Sequence, residues 1–159
     1  DIFHPERLSD EIEELVATSL QEPVIRRLLM TSCLLPLHVK CRNLYINRGV
    51  QDTRSFHCDG RSLKYKSFLF LTEVDSLADG PYCYVKRSHR NRSSWKESRR
   101  FNLENEIGLY EYSQLGGCDA LPMFAKAGDM VISSQRGAHR GLPQQPDAER
   151  AVLVNMYQR

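Results

Sequence analysis

Residues 56–60, Phe-His-Cys-Asp-Gly, place a histidine and an aspartate two positions apart. The stretch lies between two strand-like segments, and residues two apart in an extended backbone point to the same side. His57 and Asp59 would then present an imidazole and a carboxylate together, with Cys58 facing away. They form two thirds of the 2-His-1-carboxylate set that binds non-haem Fe(II) and leaves coordination positions open. A lone His-x-Asp often occurs by chance, so this pair indicates a metal site only with a third ligand.

His139 is the candidate third ligand. It ends a strand-like run, and the glycines at 137 and 141 leave room around it for a bound group. The alternative is an ordinary half-exposed histidine at the end of a strand. On its own, that alternative is the more common situation.

Arg150 lies eleven residues after His139, at the start of the next strand-like run. If these two strands form an antiparallel pair, its guanidinium lies over the same face as the histidine. A buried guanidinium requires an anionic partner, and its forked geometry matches a carboxylate. The alternative is a surface arginine paired with Asp147 or Glu149.

Two helices precede the strands. Ser9 or Asp10 caps the first helix, and Pro23 suits the first turn of the second. From residue 34 the apolar period changes to that of strands, with further strands predicted over 66–74, 82–85, 123–127, 130–134 and 150–157. We therefore predict a mainly β fold, a jelly-roll or cupin-like barrel. One domain of 1–159 comprises a helical preface (1–33) and a β-barrel core (34–159).

The bulk composition is that of an ordinary globular protein, with 159 residues, 41% hydrophobic, 26% charged and a net charge of +2. The sequence has no apolar run long enough to cross a membrane. Five scattered cysteines without a Cys-x-x-Cys pair suit a reducing compartment, so we expect a cytoplasmic or similarly reducing location.

Residues 86–100 are rich in lysine and arginine around Trp95, and residues 102–117 are more acidic. We interpret the first segment as a solvated basic loop and the second as a loop with a helical turn. The basic segment could attract an anionic or carrier-linked small-molecule substrate. Its aromatic residues are too sparse to indicate nucleic-acid binding.

The order and spacing of these residues resemble the Fe(II)- and 2-oxoglutarate-dependent oxygenases, and more narrowly the phytanoyl-CoA dioxygenase family. Residues 79–81 (Asp-Gly-Pro) and 85–90 (Val-Lys-Arg-Ser-His-Arg) resemble that family's N-G-x-L…P-G-S-H-R segment. Residues 126–131, Lys-Ala-Gly-Asp-Met-Val, are similar to its K-A-G-D-V-V run. The resemblance covers about residues 40–159 and implies a double-stranded β-helix.

The resemblance also implies roles for individual residues. His57, Asp59 and His139 would hold Fe(II) and form the catalytic centre, and Arg150 would bind the far carboxylate of 2-oxoglutarate. With O₂ as the other co-substrate, 2-oxoglutarate would become succinate and CO₂ while the substrate is hydroxylated. Tyr45 and Asn47 share a strand face leading towards this site, where they could contact 2-oxoglutarate. Packing of the barrel is the alternative role for this pair, as it is for Tyr65 and Lys66.

The sequence departs from the family pattern at three positions. Gly141 stands where the family often has a serine, Leu69 where it often has an aromatic residue, and Cys58 where glutamine is usual. Two further hypotheses therefore stay open. One is a barrel without turnover that acts as a metal- or ligand-binding or regulatory module. The other is a cupin-type metalloenzyme that does not use 2-oxoglutarate.

Overall fold

The computed structural model describes residues 1–115 and 119–159. The helices are α1 (Asp10–Ser19), α2 (Glu22–Cys33), α3 (Arg92–Glu104) and a 3₁₀ turn (Pro5–Arg7). The strands are β1 (Ile2–Phe3), β2 (His38–Arg48), β3 (Lys64–Phe70), β4 (Tyr82–Val85), β5 (Ala120–Met123), β6 (Met130–Ser134), β7 (His139–Gly141) and β8 (Glu149–Gln158).

The strands form two antiparallel sheets that pack face to face. The larger sheet has the order β1-β2-β8-β3-β6, and the smaller has the order β5-β4-β7. Tyr82 of the smaller sheet contacts the larger one, since its ring lies 4.6 Å from that of Phe68 and its hydroxyl is 2.9 Å from Ser133 Oγ. The mainly β class predicted from the sequence is confirmed.

Helices α1 and α2 cover the outer face of the larger sheet. Ser9 caps α1 by accepting a hydrogen bond from the Ile12 amide, as predicted. Strand alternation gives β3 and β8 two apolar faces, because one set of side chains packs on the helices and the other lines the interior. Leu69 and Leu153 pack on α1, whereas Phe70 and Val152 belong to the interior cluster.

Two expected strands have other bounds in the structure, and one short strand was not expected. The strand expected over 66–74 ends at Phe70, and the one expected over 123–127 is β5, which ends at Met123. β5 contains Pro122, which is tolerated because β5 is an edge strand of the smaller sheet. β1 was not predicted, because two residues are too short to show a period.

The basic segment 86–100 is not a loop, since most of it belongs to α3. Asn91 caps this helix by accepting a hydrogen bond from the Ser94 amide. The prediction failed because the buried side of α3 carries Ser94, Ser98 and Asn102 rather than apolar side chains. A hydrophobic repeat therefore could not reveal it. The loop expected over 102–117 begins only after Glu104, and its last residues lie outside the described part of the chain.

Four of the five cysteines, at 33, 41, 58 and 83, are free thiols, and Cys118 lies outside the described residues. Within residues 1–115 and 119–159, the helices are too short or too polar to cross a membrane.

Replacing Leu20 by alanine should destabilise the protein by roughly 2–5 kcal/mol, because this fully buried side chain fills the α1–sheet interface. Urea denaturation measures the change in the free energy of unfolding. Leu15→Ala is the matched control, since Leu15 is 63% exposed in α1, just before Leu20 at the end of this helix, and should change stability by less than about 0.5 kcal/mol. Equal effects of the two substitutions would contradict this packing.

Candidate metal and ligand site

Reciprocal backbone hydrogen bonds join His57 to His139. The His57 amide donates to the His139 carbonyl at 3.0 Å, and the His139 amide donates to the His57 carbonyl at 2.9 Å. Directly paired residues in an antiparallel bridge project their side chains to the same face. The two imidazole rings accordingly lie 4.6 Å apart. His57 forms this bridge outside any extended strand, so the His-x-Asp stretch is a bridged connection rather than part of a β-strand.

The same connection is held on its other side by residues 110–112. The Cys58 amide donates to the Tyr110 carbonyl at 2.9 Å, and the Tyr112 amide donates to the Phe56 carbonyl at 2.6 Å. The Asp59 amide donates to the Gln135 carbonyl at 2.9 Å. Cys58 is buried in the apolar cluster that contains Tyr112. The turn that carries the candidate ligands is therefore anchored from three directions.

Both histidines present the same ring nitrogen to Asp59. His57 Nδ1 lies 2.8 Å from the Ser55 carbonyl, and His139 Nδ1 lies 2.9 Å from the Gly137 carbonyl. A carbonyl oxygen can only accept, so each Nδ1 carries the proton and each Nε2 keeps its lone pair. The Nε2 atoms lie 3.9 Å (His57) and 3.8 Å (His139) from Asp59 Oδ1.

One ligand atom from each of His57, Asp59 and His139 lies within 4.8 Å of the other two. The donor set is two neutral imidazoles and one carboxylate, which suits a divalent first-row metal and leaves positions for other ligands. The structure therefore brings together the three residues that the sequence nominated.

Lys66 holds the second oxygen of the same carboxylate. Its Nζ lies 2.7 Å from Asp59 Oδ2, while Oδ1 faces the two histidines. Burial alone would raise the pKa of Asp59, but Lys66 and the two imidazoles outweigh it and lower that pKa below the usual range. Asp59 is therefore a carboxylate at neutral pH.

Burial also keeps both imidazoles neutral. It lowers the pKa of His139 to about 4, because solvent is excluded and the hydrogen bond to Gly137 and the nearby Asp59 only partly compensate. The pKa of His57 is lowered in the same direction by burial. Neutral imidazole is the form that binds metal.

The histidines open into a cavity of about 590 Å³ between the sheets. Its walls carry aromatic, amide and cationic side chains, among them Tyr45, Asn47, Lys66, Phe68, Phe70, Tyr82, Gln135 and Arg150. The cavity thus has the volume and mixed polarity of a small-molecule site.

Arg150 reaches this cavity from the larger sheet. β7 pairs with β4 in the smaller sheet, and β8 lies between β2 and β3 in the larger sheet. The expected antiparallel pairing of the strands of His139 and Arg150 is therefore wrong. The two residues approach the cavity from opposite sheets, because the intervening turn carries the chain from one sheet to the other.

The Arg150 guanidinium donates to the Gly80 carbonyl and lies 3.5 Å from Asn47 Oδ1. Within the described residues no carboxylate lies within 4 Å of it. Burial lowers its pKa, yet an arginine remains charged. The surface pairing with Asp147 or Glu149 is thus wrong, and Glu149 instead pairs with Arg48.

The structure also shows where Leu69 and Gly141 lie, two of the positions at which the sequence departs from the family pattern. Leu69 is not the inward residue of its strand, since it packs against Val16 of α1, while the neighbours Phe68 and Phe70 line the cavity. A β-carbon at Gly141 would lie 3.5 Å from Arg150 Nη2, so the serine position of the family pattern is occupied here by backbone beside the guanidinium.

Sequence reasoning missed Gln135, Tyr82 and the segment 110–112. Gln135 could have been found, because it lies two residues after Ser133 and continues the inward alternation of β6. Segment 110–112 gave no signal, since its only marker is a long-range pairing with residues 56–58.

The fold is shared with solved structures of non-haem 2-oxoglutarate-dependent enzymes. The carbocyclase SnoK from nogalamycin biosynthesis superposes with a TM-score of 0.72 at 17% identity, covering 98% of this chain and 61% of SnoK. For the epimerase SnoN from nogalamycin biosynthesis the TM-score is 0.71 at 14% identity, covering 99% of this chain and 59% of SnoN. The chain thus spans about three fifths of both enzymes.

HygX from Streptomyces hygroscopicus with iron bound superposes with a TM-score of 0.69 at 16% identity, covering 98% of this chain and 70% of HygX. HygX has also been solved with nickel and 2-oxoglutarate. At these identities the similarity establishes the fold. The sequence matches no protein-family profile and no curated protein, so the narrower phytanoyl-CoA dioxygenase resemblance stays a prediction.

The metal-free protein should lose stability as the pH falls from 7.5 to 5. Unfolded histidine binds a proton below about pH 6.5, whereas His139 in the fold stays neutral down to about pH 4. In that window the unfolded state binds more protons, so lowering the pH favours unfolding, by roughly 2 kcal/mol for this residue. Urea denaturation in the presence of a chelator measures the effect.

The His139→Gln variant should lose this part of the pH dependence. His38→Gln, at an exposed position at the start of β2, is the control and should retain it. A slope in the His139→Gln variant equal to that of the wild type would refute the assignment.

Proposed function

We propose that this chain is the catalytic domain of an Fe(II)- and 2-oxoglutarate-dependent oxygenase. The observation that carries this proposal is Arg150, a half-buried guanidinium that faces the same cavity as the His57–Asp59–His139 cluster. A 2-oxo dicarboxylic acid needs a metal at its oxoacid end and a cation at its far carboxylate, and this cavity provides for both. HygX, which has the same fold, binds iron in one structure and nickel with 2-oxoglutarate in another.

We propose His57, Asp59 and His139 as the iron ligands, and the geometry supports this donor set. Both Nε2 atoms and Asp59 Oδ1 face one another, and the opposite ring nitrogens are fixed by carbonyls. Iron held there would supply the oxidising chemistry, with O₂ as co-substrate and 2-oxoglutarate converted to succinate and CO₂.

The other residues of the cavity would bind and orient 2-oxoglutarate and keep water out. Arg150 would hold the far carboxylate of 2-oxoglutarate, with Asn47 beside the guanidinium. Tyr45 lines the same wall, and its hydroxyl accepts a hydrogen bond from Nδ2 of the Asn43 side chain. Phe68 and Phe70 provide an apolar wall, which strengthens the electrostatic interactions of the charged groups by lowering the local dielectric.

We propose that the two sheets are the layers of a double-stranded β-helix and that residues 1–159 act as one domain. Hydroxylation of a small organic or carrier-linked substrate is the reaction we favour, since it needs no protein group beyond those that hold metal, 2-oxoglutarate and substrate. SnoK and SnoN share the fold and are a carbocyclase and an epimerase. The outcome in this chain would therefore depend on how the cavity wall places the substrate.

Adding 2-oxoglutarate to the anaerobic Fe(II) protein should produce a visible metal-to-ligand charge-transfer absorption. A folded protein that binds Fe(II) without developing this band would be a cupin-type metal protein that does not use 2-oxoglutarate. A protein that develops the band but forms no succinate with any substrate tested would be a binding or regulatory module.

Arg150→Ala should weaken 2-oxoglutarate binding by roughly thirtyfold or more, because losing a buried charge-assisted contact costs about 2 kcal/mol or more. Fe(II) affinity should be retained, and titration of the absorption band measures both. Arg48→Ala is the matched control, since Arg48 adjoins Asn47 on β2 but is exposed and pairs with Glu149. Unchanged 2-oxoglutarate affinity in folded Arg150→Ala protein would remove the proposed role of this residue.

A further inference from the structure

Helix α3 buries a polar face. Ser94, Ser98 and Asn102 recur at a spacing of four residues, and all three are buried. Residues four apart lie on one side of a helix, where a globular protein usually places apolar side chains. Burying polar groups costs free energy unless each finds a partner. The partners of this face therefore show what the helix holds in place.

Asn102 holds the segment that follows the helix. Its Nδ2 donates to the Gly108 carbonyl at 3.0 Å and to the Glu111 carbonyl at 2.9 Å. Its Oδ1 accepts from Ser113 Oγ, and its backbone carbonyl accepts from the Ile107 amide at 2.9 Å. A single fully buried side chain thus fixes both ends of a short turn.

Ser98 extends the same attachment by one step. Its hydroxyl donates to the Gln114 carbonyl at 3.2 Å and accepts from the Gln114 amide at 2.9 Å. The Ser98 hydroxyl therefore satisfies both backbone groups of Gln114, as a neighbouring strand would do. Residues 108–114 are paired to α3 along one edge.

The other edge of this segment pairs with residues 56–58, the loop that carries His57. Tyr110 accepts from the Cys58 amide, Tyr112 donates to the Phe56 carbonyl, and Glu111 forms an isolated bridge with His57. Glu111 also binds the guanidinium of Arg54 at 2.6 Å. Segment 110–112 is thus clamped between the polar face of α3 and the loop that carries His57.

We infer that Asn102 is a positioning residue for the metal centre, acting through segment 110–112 to hold His57 in register with His139. It touches neither the ligand atoms nor the cavity, so its effect must pass through the Tyr110 and Tyr112 backbone bonds. The metal-affinity consequence rests on the proposed function. The mechanical consequence, a fixed loop at 56–58, is independent of the proposed function.

The test compares Asn102→Ala with Asn105→Ala. Asn105 is the matched control because it is exposed at the same helix end, and among the described residues its side chain bonds only the Phe101 carbonyl. Amide hydrogen exchange in the metal-free protein gives the first measurement. Asn102→Ala should speed exchange at the Cys58 and Tyr112 amides by about tenfold or more, while the Leu153 amide in β8 keeps its wild-type rate. Asn105→Ala should change none of them.

Titration with Co(II) gives the second measurement, and Asn102→Ala should weaken its binding by about tenfold, as disturbed outer-shell contacts do at other metal sites. Unchanged exchange at Cys58 and Tyr112 would overturn the inference, whether or not the wild type binds Co(II). Equal Co(II) affinity in Asn102→Ala and wild type would overturn it as well. A wild-type protein that binds no Co(II) contradicts the proposed function instead, and the exchange rates still decide the role of Asn102.

If Asn102→Ala does not fold, Ser98→Ala provides the same test with a smaller loss. Within the described part of the chain it removes only the two bonds to Gln114, so the expected exchange and affinity changes keep their direction with a smaller size. Exchange at Cys58 and Tyr112 that stays at the wild-type rate in Ser98→Ala would then count against the inference.

Discussion

The candidate site depends on one pair of backbone hydrogen bonds, those exchanged by His57 and His139. They join a connection that is not itself a strand to the edge of the smaller sheet. Because paired residues project to the same face, this single bridge brings two imidazoles from distant parts of the chain to one point. Asp59 follows two residues later, and its amide is bound by Gln135, which turns its carboxylate towards both rings.

Charge placement in the cavity follows from that bridge. Asp59 is a half-buried carboxylate shared between Lys66 on one oxygen and the histidines on the other. Arg150 enters from the opposite sheet with only neutral oxygens near its guanidinium among the described residues. A charge held partly away from water is costly without a partner of opposite sign, and this cost underlies the proposal that Arg150 binds an anionic ligand. In the proposed function, the cavity combines a donor set for a divalent metal with a cation for a carboxylate.

Much of this arrangement could be predicted from local sequence. The cap of α1, the proline in the first turn of α2 and the alternation in β2 and β8 were readable, because each depends on residue type and short-range spacing. The same holds for the clustering of His57, Asp59 and His139. Helix α3 was not readable, since its buried face is polar and leaves no apolar period. The sequence also could not show which face of β3 carries Leu69, because strand alternation has two phases and only packing on α1 selects one.

The sequence by itself determined which side chains could bind a metal and an anion, and it did so through their chemistry and order. Only the tertiary structure decided how they meet. The chain changes sheets between β7 and β8, so Arg150 faces His139 across the cavity instead of lying beside it. Loop 56–58, which carries His57, is supported by backbone bonds to Tyr110 and Tyr112, and the side chain of Asn102 holds that segment in turn. Backbone pairing at long range leaves no mark on residue identity, and for that reason it had to be seen in the fold.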